Sequence, residues 1–226
     1  MQAYLTLGSE MHLKAAKNGF EMLEKTQSFA TGADYHISTY LRSADGVYVN
    51  LFTPSKVQWK DSGGNYGLKQ ETKYPLDNKI QIQVSGSQPK EYTIYVRIPA
   101  WATPGPVLLV NGNRVSDSVQ PGTFASIRRT WKDGDRVELE LPMPLRLEQV
   151  DANHPKLVAL MQGPLTLHAI AETQPSFEKN GLLQAKATSN PKGDWTATSA
   201  DGSSVTMRPF MNIDKESYST YVLLKS

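Results

Sequence analysis

Residues 91–98 read Glu-Tyr-Thr-Ile-Tyr-Val-Arg-Ile. Tyr92, Ile94, Val96 and Ile98 alternate with Glu91, Thr93, Tyr95 and Arg97. A period of two puts alternate side chains on opposite faces, so this segment predicts a strand with one buried and one wet face. The pattern recurs to either side. Ile80, Ile82 and Val84 alternate with Lys79, Gln81 and Gln83, and Val137, Leu139 and Leu141 with Arg136, Glu138 and Glu140. Upstream, Val47, Val49 and Leu51 alternate with Tyr48, Asn50 and Phe52.

Turn chemistry separates these strands. Asn111-Gly112 follows Val107–Val110, and Asn-Gly readily takes the positive φ of a tight hairpin. Asp133-Gly134 lies between the runs 124–131 and 136–141, where a hairpin turn is expected. Pro99, Pro104 and Pro106 should end strands, because proline cannot donate to a ladder. Many short strands at this spacing predict an antiparallel sandwich. Pro142 and Pro144 form a seam. Beyond it, Leu157–Ile170 reads as two strands joined at Gly163-Pro164. Residues 184–204 read as loop with short strands, and 205–210 and 219–224 as strands closing a second sheet.

The first 35 residues follow a different period. Leu13, Ala16, Phe20 and Leu23 share one helical face, widened by Ala15, Gly19 and Met22, and Ser9 is a suitable N-cap. A helix is expected over 10–25. The fold class predicted is therefore mainly β, with two antiparallel β-sandwich domains preceded by one N-terminal α-helix.

Composition bounds the function. Of 226 residues, 39% are hydrophobic, enough for a core. Lys and Arg number 24 and Asp and Glu 22, a net charge of +2 without a basic run, which points away from nucleic acid and anionic membranes. There is no cysteine, so disulfides, thiolate metal sites and cysteine nucleophiles are excluded. The N-terminus lacks the pattern of a signal peptide and no apolar run is long enough to span a membrane, so a soluble chain is expected.

The ordered motifs carry a resemblance. Residues 47–52 with Pro54-Ser55 and Gln70-Glu71-Thr72, then Tyr95-Val96-Arg97-Ile98-Pro99-Ala100-Trp101, resemble glycoside hydrolase family 127, the β-L-arabinofuranosidases. So do Val110-Asn111-Gly112, Trp131-Lys132-Asp133-Gly134-Asp135, Leu141-Pro142-Met143-Pro144, and 158–164. Arg208-Pro209-Phe210 and Tyr218-Ser219-Thr220-Tyr221 complete the set. The resemblance implies an (α/α)6 barrel followed by β-sandwiches, with catalysis in the barrel by a cysteine nucleophile near a cysteine- and glutamate-bound zinc. It further implies that 1–45 is a helical remnant of that barrel, with the catalytic segment missing near Gly32 and Ala33. Residues 46–144 would then be the first sandwich and 145–226 the second. No catalytic residue, metal or cofactor is assigned to this chain.

The other candidates are weighed against ordinary roles. His12, His36, His154 and His168 show no metal-ligand spacing. His168, in an apolar strand, reads as a satisfied core or edge residue. Asp133 and Asp135 fit turn chemistry, and Asp61, Glu71, Asp77, Asp214 and Glu216 are scattered, with no pair suited to glycoside hydrolysis. The stretch 61–67, with Gly63-Gly64, lacks the Lys-Ser/Thr of a phosphate loop and reads as a mobile loop. Trp101 and Trp131 look structural. Trp59, Trp195 and Tyr66 are the candidate carbohydrate-binding residues, the two tryptophans in polar, loop-like surroundings. The functional expectations are a non-catalytic region of a family 127-like hydrolase, a free-standing carbohydrate-binding module, or a fragment that self-associates through the N-terminal helix. The expected partner is carbohydrate.

Overall fold

The computed structural model describes residues 39–115 and 119–225. The helix expected over 10–25, and any self-association through it, lie outside these residues. The described chain is mainly β. In order, the strands are β1 Tyr40–Arg42, β2 Gly46–Val49, β3 Ser55–Asp61, β4 Gly64–Thr72, β5 Lys79–Gly86, β6 Lys90–Ile98, β7 Val107–Val110, β8 Asn113–Arg114, β9 Thr123–Trp131 and β10 Arg136–Glu140. Then come β11 Leu145–Gln149, β12 Leu157–Gln162, β13 Leu165–Ile170, β14 Ser176–Phe177, helix α1 Lys179–Leu183, β15 Lys186–Ala187, β16 Trp195–Thr198 and β17 Ser204–Pro209. A 3-10 turn, Phe210–Asn212, leads to β18 Tyr218–Ser219 and β19 Val222–Leu224. Tyr40–Arg42 is thus a strand inside the stretch 1–45 expected to be helical.

Two sheets share the first core. One runs β1-β2-β6-β9 and the other β3-β4-β5-β10-β7-β8. The alternation seen in 91–98 does the sorting: Ile94, Val96 and Ile98 are buried. They meet Val47 and Val49 of β2, Ala125 and Ile127 of β9, and Ile80, Ile82, Leu108, Val137 and Leu139 of the facing sheet in a single cluster. Aliphatic, largely β-branched residues suit this pleated, half-buried surface. The two inner faces interdigitate as packed sheets do.

The strands are not all antiparallel. β2 pairs β6 in parallel, with Val47 opposite Ile94 and Val49 opposite Val96. A parallel pair needs a long crossover, and β3, β4 and β5 of the other sheet supply it. Asn111-Gly112 does form the β7–β8 hairpin, with φ of 50° and 78° and Val110 opposite Asn113. Asp133-Gly134 does not form a hairpin: it carries the chain from β9 in one sheet to β10 in the other. The expected mobile loop at 61–67 is instead a tight β3–β4 hairpin, closed by Asp61 opposite Gly64. Gly64 has φ of 128°, a backbone conformation that only glycine adopts readily.

Residues 145–225 build one nine-stranded sheet, ordered β14-β19-β12-β13-β17-β16-β15, with β11 added on β12 and β18 on β13. β12 and β13 form the expected hairpin about Gly163-Pro164, with Gln162 opposite Leu165. The hairpin splays beyond its closed end. β18 pairs β13 at Ala169 and Ile170, and β19 pairs β12 at Leu157 and Val158, so the last strands fill the gap. β14 joins β19 in parallel. A separate core of Val158, Leu160, Leu167, Phe177, Leu182, Met207 and Val222 lies beneath.

Candidate functional site

A cavity of about 220 Å³ opens at one end of the first core. The β1–β2 turn roofs it, the end of β3 and the start of β6 form its walls, and Arg128 of β9 stands at its mouth. The turn is held close to β6: Ser43 N–H donates to the Gly46 carbonyl at 3.0 Å and Thr93 N–H to the Asp45 carbonyl at 3.0 Å. Gly46 is dictated by this approach, because a Cβ there would stand 2.1 Å from the Thr93 carbonyl oxygen.

The cavity is charged but balanced. Arg42, Lys90 and Arg128 line it together with Asp45, Asp61 and Glu91. Asp61 accepts from Arg42 at 2.9 Å and from Lys90 at 2.6 Å, which ties β3 of one sheet to β1 and β6 of the other. The Lys90 hydrogen bond, then that from the Ser62 amide, hold the Asp61 carboxyl down to about 2. Asp45 accepts from the Tyr95 hydroxyl at 2.6 Å and the Ser43 hydroxyl at 2.7 Å, and the Tyr95 bond chiefly lowers its titration. Glu91 pairs Arg128 at 3.0 Å.

The sequence candidates divide. Trp59 lines the cavity from β3, a strand rather than the loop-like segment expected. Arg42 lies 5.4 Å above its ring, Tyr66 stacks beside it at 6.2 Å and Tyr92 meets it edge-on at 5.8 Å. The indole is crowded by protein groups and serves the cavity as a wall rather than as an open platform. Tyr66 is 3% exposed and offers no face to a ligand. Trp195 is remote from this site in sequence and in core: it sits in β16, opposite Met207, and packs on the second cluster. Trp131 is buried, its indole N–H donating to the Tyr92 carbonyl at 3.0 Å. Trp101 packs against the first cluster, with Arg146 5.8 Å above its ring.

The sequence named Asp61 only as scattered and missed Arg42, Asp45, Lys90, Glu91 and Arg128. Lys90 lies 29 positions from Asp61 and Arg128 lies 37 from Glu91, so no local pattern links them. Only the sheet register brings them together. Among the carboxylates, Glu216 joins Asp194, Arg208 and Lys192 in a separate network, with Arg208 paired to Asp194 at 2.6 Å. His168 is buried between Phe210 and Tyr218, bonded to the Thr220 hydroxyl at 3.2 Å, and burial lowers its titration. Of the core and edge roles expected for it, the structure gives the core one, since β13 lies between β12 and β17. His154 is exposed beside Asp151, while His12 and His36 lie outside the described residues. Among the described residues, no group of three or more His, Asp or Glu could hold a metal ion, and no helix is long and apolar enough to cross a membrane.

The fold is similar to part of three solved structures. It matches the GH127 β-L-arabinofuranosidase of Geobacillus stearothermophilus T6 with a TM-score of 0.66 and 23% identity, over 82% of this chain and 35% of that one. It matches a second glycoside hydrolase with a TM-score of 0.67 and 22% identity, over 83% and 37%. A further GH127 β-arabinofuranosidase gives 0.65 and 23%, over 83% and 36%. The chain therefore spans about a third of the length of these solved structures. Residues 46–143 match the family model of the β-L-arabinofuranosidase GH127 middle domain, the same family that the sequence motifs resemble. Comparison with curated proteins gives no match.

Proposed function

We propose that this chain is a non-catalytic region of a GH127-like glycoside hydrolase, with a split near Pro144 between a two-sheet β-sandwich and a second region built on one nine-stranded sheet instead of the second sandwich expected. The substrates of the whole enzyme would be arabinofuranosides or related plant glycans. The match of 46–143 to the GH127 middle domain carries this reading. Two further observations support it. The chain has no cysteine, so it cannot supply a thiolate nucleophile. Every described carboxyl group with a clearly displaced titration is displaced downward, Asp61 and Glu216 to about 2. A glycosidase acid needs the opposite shift. Incubating the purified chain with a chromogenic β-L-arabinofuranoside should give no turnover above a buffer blank. Clear turnover abolished by one carboxylate substitution would overturn the reading.

A second reading, glycan binding without catalysis, is favoured by the cavity beside Trp59. Its polar groups and the apolar walls of Trp59, Tyr92 and Val47 are the ingredients of a small-ligand site.

A further inference from the structure

Resting on that second reading, we propose that the cavity beneath the β1–β2 turn is a subsite for one neutral sugar ring. The lining residues include three cations and three anions, so the lining is neutral as a whole. A charged ligand would leave one sign in excess in a half-enclosed space. A neutral polyol would not, because each hydroxyl both donates and accepts. The polar groups also have capacity left. A guanidinium carries five N–H donors and a carboxylate about four acceptor sites. The ion pairs to Asp61 and Glu91 occupy one N–H each of Arg42 and Arg128.

Preorganisation is the second element. Asp45 is fixed by Tyr95 and Ser43, Asp61 by Arg42, Lys90 and the Ser62 amide. A polyol entering the cavity finds its partners already ordered, which lowers the cost of binding. Size is the third. About 220 Å³ falls below the roughly 300–1,000 Å³ of pockets for drug-sized ligands. One ring fits this space better than a chain, with its C–H edge against the Trp59 wall. By contrast, the groove along β5, β10 and β7 has no aromatic wall among its lining residues.

Calorimetric titration of the full chain with methyl β-L-arabinofuranoside tests this, with galacturonate and glucosamine as charged probes. Arg128→Gln and Glu91→Gln are suitable variants, since both side chains are largely exposed at the mouth and circular dichroism reports whether the fold survives. The neutral probe should bind best, and each variant should weaken it by about tenfold, the scale of one charged hydrogen bond. Stronger binding of either charged probe overturns the subsite. Neutral binding unchanged in both variants but lost in Trp195→Ala also overturns it, while leaving the glycan reading intact. If no neutral sugar binds, both fall.

Discussion

The two regions of this molecule solve the same problem with different materials. The first closes two facing sheets over a core of Val, Ile and Leu, and keeps its ions at the solvent boundary, where Asp61 and Lys90 are each about a third exposed. The second bends one splayed sheet over a smaller core and buries an ion pair. Arg208 and Asp194 are 9% and 6% exposed, and the guanidinium is bonded twice to the carboxylate, at 2.6 and 2.8 Å. Arg208 also reaches Glu216, whose carboxylate takes the Asp214 and Lys215 amides and so fixes the loop 210–217. The difference teaches where electrostatics matter. An exposed pair is nearly replaceable by water, whereas a buried one is costly to break from one side.

The comparison can be broken most sharply at Arg208. Arg208→Met leaves Asp194 buried and unpaired, and should cost roughly 3–5 kcal/mol in urea unfolding. The double variant Arg208→Met/Asp194→Leu should recover a large part of that loss; failure to recover would place the strength of the second region in packing alone. Core truncation comes next. Phe177→Ala, at 0% exposure, should cost about 3–5 kcal/mol and Ile82→Ala about 2–5 kcal/mol. Gly46→Ala forces its Cβ against the Thr93 carbonyl and should cost about 1–3 kcal/mol as overpacking does, with the β1–β2 turn displaced in NMR spectra.

Acid should weaken both regions at once. Asp61 in the first and Glu216 in the second are each held down to about 2 in the folded chain, below their ordinary values. A depressed carboxyl stabilises the fold above its unfolded pKa, and that contribution is lost as pH falls through the folded one. Urea midpoints should therefore drop between about pH 4.5 and pH 2. The smallest effect belongs to Arg42→Ala, which removes a half-exposed partner of Asp61 that Lys90 replaces. Its melting midpoint should lie within the scatter of replicates.

Legibility followed the same divide. In the first region, alternation placed β5, β6 and β10 within a residue or two, because each has one wet face and one core face. It could not show which sheet each strand joins, so the parallel β2–β6 pair and the crossover at Asp133-Gly134 emerged only from pairing. β3 reads as loop because it is an edge strand whose Lys56, Gln58 and Lys60 face water. In the second region β12 is buried at four consecutive positions, so it shows no period. β14, β15 and β18 are two residues each, too short to carry a pattern. The cavity was the least legible element. Trp59 stands out in the sequence by its chemistry, but its charged companions come from four strands and a turn.

Native-state hydrogen exchange on the wild-type chain and on Arg208→Met tests most directly the claim that two separate cores hold this molecule. The account predicts that the variant loses amide protection across 145–225 while Ile82, Ile94 and Val96 keep theirs. A uniform loss in both regions would contradict it, and would mean that the two cores open as one.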